Sequence, residues 1–251
     1  MNRSSVHRVS PPEVSDVCAM KRLTKFLQTA FLLLLMVATS AADSSHNNFH
    51  GPATGEETRA FKRWQVEAKA GNAAAQYNLG VLYCLGRGVL KDNGAAASWY
   101  RMAAEQGHAI AQHNLGFMYQ NGLGVEQNNR TAVKWYRLAA DQGYAAAQNS
   151  LGSMYQNGQG VPQSDRIAVR WYRLAAEQGD AVAQNNLAIM YVHGFGIMQS
   201  DEHAYAWWVV AAQNNSKMAR SNLLLAQMSM TPYRVKKGTQ LAGLIQQRLG
   251  M

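Results

Sequence analysis

Apolar and polar positions along the chain recur with a long period: four stretches, beginning at Ala73, Ala109, Ala145 and Ala181, align without a gap at a spacing of 36 residues. Within each unit the apolar positions first follow a helical spacing. Ala75, Leu79 and Tyr83 fall at i, i+4 and i+8, one stripe of a first helix, helix A. Gly80, Gly116 and Gly152 sit beside that stripe, where the missing side chain predicts close approach of a neighbouring helix. A loop follows, carrying Gly86-x-Gly88, Gly122-x-Gly124, Gly158-x-Gly160 and Gly194-x-Gly196, glycines that admit the positive φ of a tight reversal. No strand precedes it, so it does not read as a phosphate cradle. The second helix, helix B, is predicted to be capped by Asn93, Asn129, Asp165 and Asp201 and to stop at Gly107, Gly143 and Gly179. Trp99, Trp135, Trp171 and Trp207, followed by Tyr100, Tyr136, Tyr172 and Trp208, give every copy a large aromatic pair for the core.

The pattern frays at both ends. A half copy, Glu57 to Ala70, precedes the first unit, and Thr54-Gly-Glu-Glu57 matches a capping box at its start. A decayed copy runs through Lys217-Met-Ala-Arg-Ser-Asn-Leu223. Beyond it, Thr231-Pro232 reads as an N-cap with proline at the first helical position, and Leu241, Leu244, Ile245 and Leu249 form the predicted inner stripe of a closing helix. The fold class is therefore all-α, with a repeat domain over 56–231 and a C-terminal capping helix over 232–251.

Composition changes the picture at the N-terminus. The formal charge is +9, but residues 1–42 carry five basic and two acidic residues, and their removal leaves +6 with no run of Lys and Arg to serve as a nucleic-acid arm. Met20-Lys-Arg-Leu-Thr-Lys25 is a basic segment, Phe26 to Ala38 an apolar one, and Thr39-Ser-Ala-Ala42 supplies small residues before Asp43. Together they read as a cleavable secretory signal, with Met20 the expected initiator, residues 1–19 an extension, and 43–55 a polar linker. The uninterrupted apolar run, Ala30 to Ala38, is too short to span a bilayer. A periplasmic or secreted protein with no integral membrane segment after processing follows. Only Cys84 remains in the processed chain, so no intrachain disulfide forms.

With the pattern AxAQxxLGxxYxxGxGV…AxxWYRxAAEQG in view, the chain resembles the Sel1-like repeat family, relatives of tetratricopeptide repeats with a longer glycine loop. The match covers about Glu57 to Asn222. Resemblance implies a right-handed α/α solenoid and a non-enzymatic adaptor that assembles envelope or secretory-pathway complexes. A cysteine-rich branch of the family acts on β-lactams and implies an alternative, an envelope enzyme directed at β-lactams or peptidoglycan. That branch pairs cysteines within its repeats, whereas Cys84 stands alone with Gln120, Gln156 and Val192 at its equivalent positions.

Catalytic and metal motifs are absent from the sequence: there is no His-Glu-x-x-His, CxxC or GxSxG. His46 and His50 have i, i+4 spacing but lie in the linker, and His108, His113, His193 and His203 read as surface or groove histidines. Neither cofactor nor metal is expected, and the chain is expected to be a monomer. Recognition is expected on the surfaces that one repeat position makes through successive copies. On helix A, opposite Leu79, these are the row Tyr77, His113, Asn149 and Asn185; the row Asn78, Asn114, Ser150 and Asn186; and the row Val81, Phe117, Ser153 and Ile189. The second row supplies amides for an extended peptide backbone and the third supplies pockets, on a face expected to be concave; the alternative is an interlayer hydrogen-bond ladder. Helix B offers a basic stripe, Arg130, Lys134 and Arg137 in one copy and Arg166, Arg170 and Arg173 in the next. Glu105, Asp141 and Glu177, four residues after Arg101, Arg137 and Arg173, are expected to neutralise part of it.

Overall fold

The computed structural model describes residues 55–251, among which there are eleven helices and no strand. The extension, signal, capping-box Thr54 and most of the linker expected over 1–54 lie outside the described residues. Helix α1 (Gly55–Lys69) is the half copy. Four helical hairpins follow, α2 (Ala73–Leu85) with α3 (Asn93–Glu105), α4 (Ala109–Asn121) with α5 (Asn129–Asp141), α6 (Ala145–Asn157) with α7 (Asp165–Glu177), and α8 (Ala181–His193) with α9 (Asp201–Gln213). Helix α10 (Lys217–Ser229) is the decayed copy and α11 (Pro232–Leu249) closes the chain. Each helix A packs on its own helix B and on the one before it, which makes the molecule an all-α repeat solenoid.

Helix A can lie this close to helix B because glycine faces tyrosine: a Cβ on Gly116 would sit 2.8 Å from Cδ1 of Tyr136. The same pairing recurs at Gly80 with Tyr100 and at Gly152 with Tyr172. The partner is thus the helix B of the same copy. In the loops the second glycine has the tighter constraint. Gly124 has φ 67°, and a Cβ there would fall 2.2 Å from the carbonyl carbon of Asn93, at the start of the preceding helix B. Loop and layer stacking are therefore one feature, and any side chain at this position would separate adjacent copies.

The helix B caps lie one residue earlier than the sequence suggested. Asp92, Asn128, Ser164 and Ser200 are extended (φ −146° to −159°) and accept from the backbone N–H three residues on, while Asn93, Asn129, Asp165 and Asp201 are already helical. Two good capping residues stand side by side in every copy, and only the backbone turn decides which one caps. The stops at Gly107, Gly143 and Gly179 stand as expected, each with positive φ. Tyr100, Tyr136 and Tyr172 are buried, whereas Trp99, Trp135 and Trp171 are half-buried and pack on the core of the preceding layer.

Two features stop the repeat. The seven-residue loop that joins helix A to helix B is replaced after α10 by Met230–Thr231, where Thr231 accepts from the N–H of Arg234 and Pro232 begins α11. Leu224 in turn occupies the position of Gly80, Gly116 and Gly152, so no tyrosine can seat there. Helix α11 packs instead on α9, with a Cβ on Gly238 only 2.7 Å from the Tyr205 ring. Its inner line is Gly238 and Ala242, flanked by Val235, Ile245 and Leu249, and Leu244 of the expected stripe is 62% exposed. Ile245 and Leu249 of that stripe do pack on the core, but small residues, not leucines, form the closest seam. No helix among the described residues is long and apolar enough to cross a membrane.

Candidate interaction surface

The helix A face opposite Leu79 is continuous through the layers, and it is stitched together along its length. His113 Nε2 shares a hydrogen bond with Ser150 Oγ (3.2 Å), Asn186 Nδ2 donates to Asn149 Oδ1 (3.0 Å), and Asn222 Nδ2 donates to Asn185 Oδ1 (2.9 Å). Each bond joins one copy's first row to the next copy's second row. The interlayer ladder weighed from the sequence is therefore present. Asn185 is only 2% exposed, which removes it from any open surface, and the remaining members of the two rows are half-buried. In the third row Val81, Phe117 and Ile189 are half-buried and pack against the core, and Ser153 accepts no partner's side chain but that of Asn157 (3.2 Å). Tyr77 stacks on His108 with ring centroids 4.8 Å apart.

His113 is the imidazole set into this face. It lies 5.4 Å, centroid to centroid, from both the Tyr136 and Tyr144 rings, and its Nδ1 has no hydrogen-bond partner. Burial penalises the imidazolium, pulling its pKa down to about 4. It is a core-edge histidine and not a surface one. His108 is likewise structural, since its Nδ1 accepts from the N–H of Ala111 as the cap of α4. His203 stacks on Tyr191 and His193 on Phe195.

A second ladder, deeper in the stack, escaped sequence reasoning. Gln76, Gln112, Gln148 and Gln184 are at most 5% exposed, and each donates to an alanine carbonyl at the end of the preceding helix B, Ala68, Ala104, Ala140 and Ala176, at 3.0–3.2 Å. Each accepts in return from the residue that ends its own helix B, Gln106, Gln142, Gln178 or Asn214, at 2.7–3.0 Å. One amide thus ties three helices. The AQ of all four copies and the QG that follows helix B in the first three carried this signal, but a buried glutamine declares its partners only once helix ends are placed.

On the outer side, Arg130, Lys134, Arg137, Arg166, Arg170 and Arg173 are all exposed, as expected. The expected i, i+4 neutralisation is not formed. Arg101 Nη2 instead donates to the Tyr119 hydroxyl of the next layer (2.6 Å), and Arg137 does the same to Tyr155, each guanidinium also lying about 6 Å over the ring. Glu177 pairs with Arg248 of α11 at 3.0 Å. A phenol one layer ahead presents both a hydroxyl and a π face, which a solvated carboxylate on the same helix does not match. Cys84 replaces the glutamine that elsewhere accepts from a buried tyrosine, as Gln120 does from Tyr136 and Gln156 from Tyr172, both at 2.7 Å. Burial raises its thiol pKa, the opposite of an activated nucleophile. Among the described residues no group of three or more His, Cys, Asp or Glu could hold a metal ion, and His46 and His50 lie outside them.

Helical hairpins in register, glycine-gated layers and faces built from repeated positions define an all-α repeat scaffold. A family model described as Sel1 repeat matches residues 73–108, 109–144, 145–180 and 181–216, the four copies of the 36-residue pattern, and the chain belongs to the Sel1 repeat family. Proteins built of these repeats generally mediate protein–protein interactions on a fold that is typically non-enzymatic. Two solved structures are similar. The protective antigen c5321 of uropathogenic Escherichia coli strains, which displays an SLR fold, matches with a TM-score of 0.71 and 35% identity over 75% of this chain and 41% of that one. A Sel1 repeat protein from Oxalobacter formigenes matches with a TM-score of 0.66 and 34% identity over 74% of this chain and 76% of that one. This chain therefore spans less than half the length of the E. coli antigen. Among curated proteins no relative matches.

Proposed function

We propose that the protein is an exported, non-enzymatic scaffold of the bacterial envelope that holds a peptide segment of a partner protein on its helix A face. The observation that carries this reading is the row-to-row bonding of His113 to Ser150, Asn149 to Asn186 and Asn185 to Asn222, which fixes the face before any partner arrives. A surface already ordered loses little entropy on binding, so its half-buried apolar row, Val81, Phe117 and Ile189, can act as anchor pockets. Export rests on the basic and apolar segments from Lys21 to Ala38 and the small residues after them.

Photo-crosslinking in the native envelope tests the reading. A benzophenone side chain at position 117 should capture an envelope protein, and one at position 134 should not. Capture from 134 alone would move recognition to the outer face. Mass spectrometry of the exported form should show an N-terminus between Ala41 and Asp43, whereas a membrane-bound form retaining Lys21 to Val37 would contradict export. Nitrocefin should be left intact, and turnover abolished by a single substitution would replace the scaffold with an enzyme.

A further inference from the structure

Three successive copies place an arginine opposite the tyrosine of the next layer, and the third of these bonds is not made. Arg101 reaches Tyr119 and Arg137 reaches Tyr155, but Arg173, their equivalent, has no hydrogen-bond or ion-pair partner among the described residues. The tyrosine it would meet, Tyr191, has its ring stacked on His203 at 5.0 Å. Arg173 instead borders a groove of about 390 Å³ that α11 creates by lying across α9, a feature with no counterpart in the other layers.

The groove is chemically two-sided. Trp207, Leu241 and Ile245 give it an apolar lining, and the exposed Leu244 forms a rim. Its charged members are Arg173, Arg248 and Glu177, beside the stacked rings of Tyr191 and His203, and Glu177 is already paired with Arg248, leaving one guanidinium uncompensated. Along the same helix Arg170 and Arg166 are exposed, and no hydrogen bond or ion pair among the described residues engages them. An occupant must therefore offer an apolar group to the lining and negative charge to Arg173 and to the cations beyond it.

We propose that the groove between α7, α8, α9 and α11 docks a peptide segment of another protein in which a bulky apolar side chain is flanked by carboxylates. The apolar side chain fills the space over Trp207 and Ile245. A neighbouring carboxylate takes Arg173 as a two-pronged partner, the geometry a guanidinium favours, and further acids follow the basic stripe along α7 to Arg170 and Arg166. This site is separate from the helix A face and does not depend on it.

Selection of displayed 12-residue peptides against the purified chain tests the proposal. Enriched peptides should carry an aromatic residue or leucine flanked by aspartate or glutamate. Arg173→Ala and Leu244→Glu should each weaken them at least about tenfold, a loss of about 1.4 kcal/mol. Both side chains are exposed, so the helical circular dichroism should not change. Arg130→Ala, one layer away on α5, should change affinity less than about twofold, and raising salt should weaken binding. Failure to enrich such peptides, or enrichment of peptides indifferent to Arg173 and Leu244, would overturn the proposal. So would Arg173-dependent binding to phosphatidylglycerol vesicles without peptide binding, which would make the groove a lipid site. Loss of the crosslink at position 117 would leave these outcomes untouched.

Discussion

In the layer α6–α7 the glycine at 152 admits Tyr172, Gln156 accepts the tyrosine hydroxyl, and Arg170, Arg173 and Leu174 face outwards into solvent. In the layer α8–α9 the same positions hold Ala188, Trp208, Val192, Ala206, Val209 and Val210, and Ala206 and Val210 are fully buried. The indole N–H of Trp208 is left without a partner where the phenol had one. One backbone rule serves both layers, and exchanges of side chain decide whether it continues. An interior helix B is apolar on one face and polar on the other. Helix α9 is apolar all round because α8, α10 and α11 surround it.

The contrast is broken most severely by moving the terminating residue inwards. Gly152→Leu copies Leu224 into the interior, where even a Cβ would lie 2.7 Å from the Tyr172 ring, and urea denaturation should show a loss of about 3 kcal/mol or more. Leu224→Gly at the exposed end should cost only about 1 kcal/mol, the helix penalty of glycine.

A smaller difference appears in pH dependence. His113 has as its counterpart in the end layer Asn185, which does not titrate. The pKa of His113 is depressed in the folded chain, so as pH falls below the ordinary histidine value near 6.5 the unfolded chain takes up a proton that the folded chain refuses until about 4. Stability from this group is complete above pH 6.5, declines as pH falls from 6.5 to 4, and is level below that. The decline should amount to about 2 to 3 kcal/mol, and His113→Asn should flatten it in denaturation curves taken across that window.

Gln148→Ala, which removes the buried bond to the Ala140 carbonyl and the one from the Gln178 amide, should destabilise by about 2 kcal/mol. At the end of the stack Arg220 stands in the glutamine position and reaches Ala212 O at 3.4 Å from an exposed site, so Arg220→Ala should shift stability by less than about 1 kcal/mol. Thermal denaturation of the two variants side by side measures the gap.

How much of this was legible in the sequence differs by position. The period fixed the hairpins, Gly116 announced close approach of a helix, and Gly124 announced a tight reversal but not its contact with Asn93. Partners were not announced. The rows through Asn149 and Asn186 could equally have faced a ligand or each other, since an amide does not encode its acceptor. Helix α11 was placed as a cap, but its seam runs through Gly238 and Ala242, which hydrophobic counting passes over in favour of Leu244. The Arg–Tyr bonds cross 18 residues from one layer to the next, beyond the reach of an i, i+4 rule.

The central claim, that the solenoid ends because α11 folds back onto α9 and leaves α10 at the open edge, is tested most directly by residue-resolved amide hydrogen exchange on the intact chain. The account predicts the slowest exchange from α4 to α9, and slower exchange in α11 than in α10, although α11 is nearer the end of the chain. In α10, Leu224, Leu225 and Met228 are 59–79% exposed, which sets it apart. Protection that falls steadily from α9 through α10 to α11, with α11 exchanging fastest, would contradict the account.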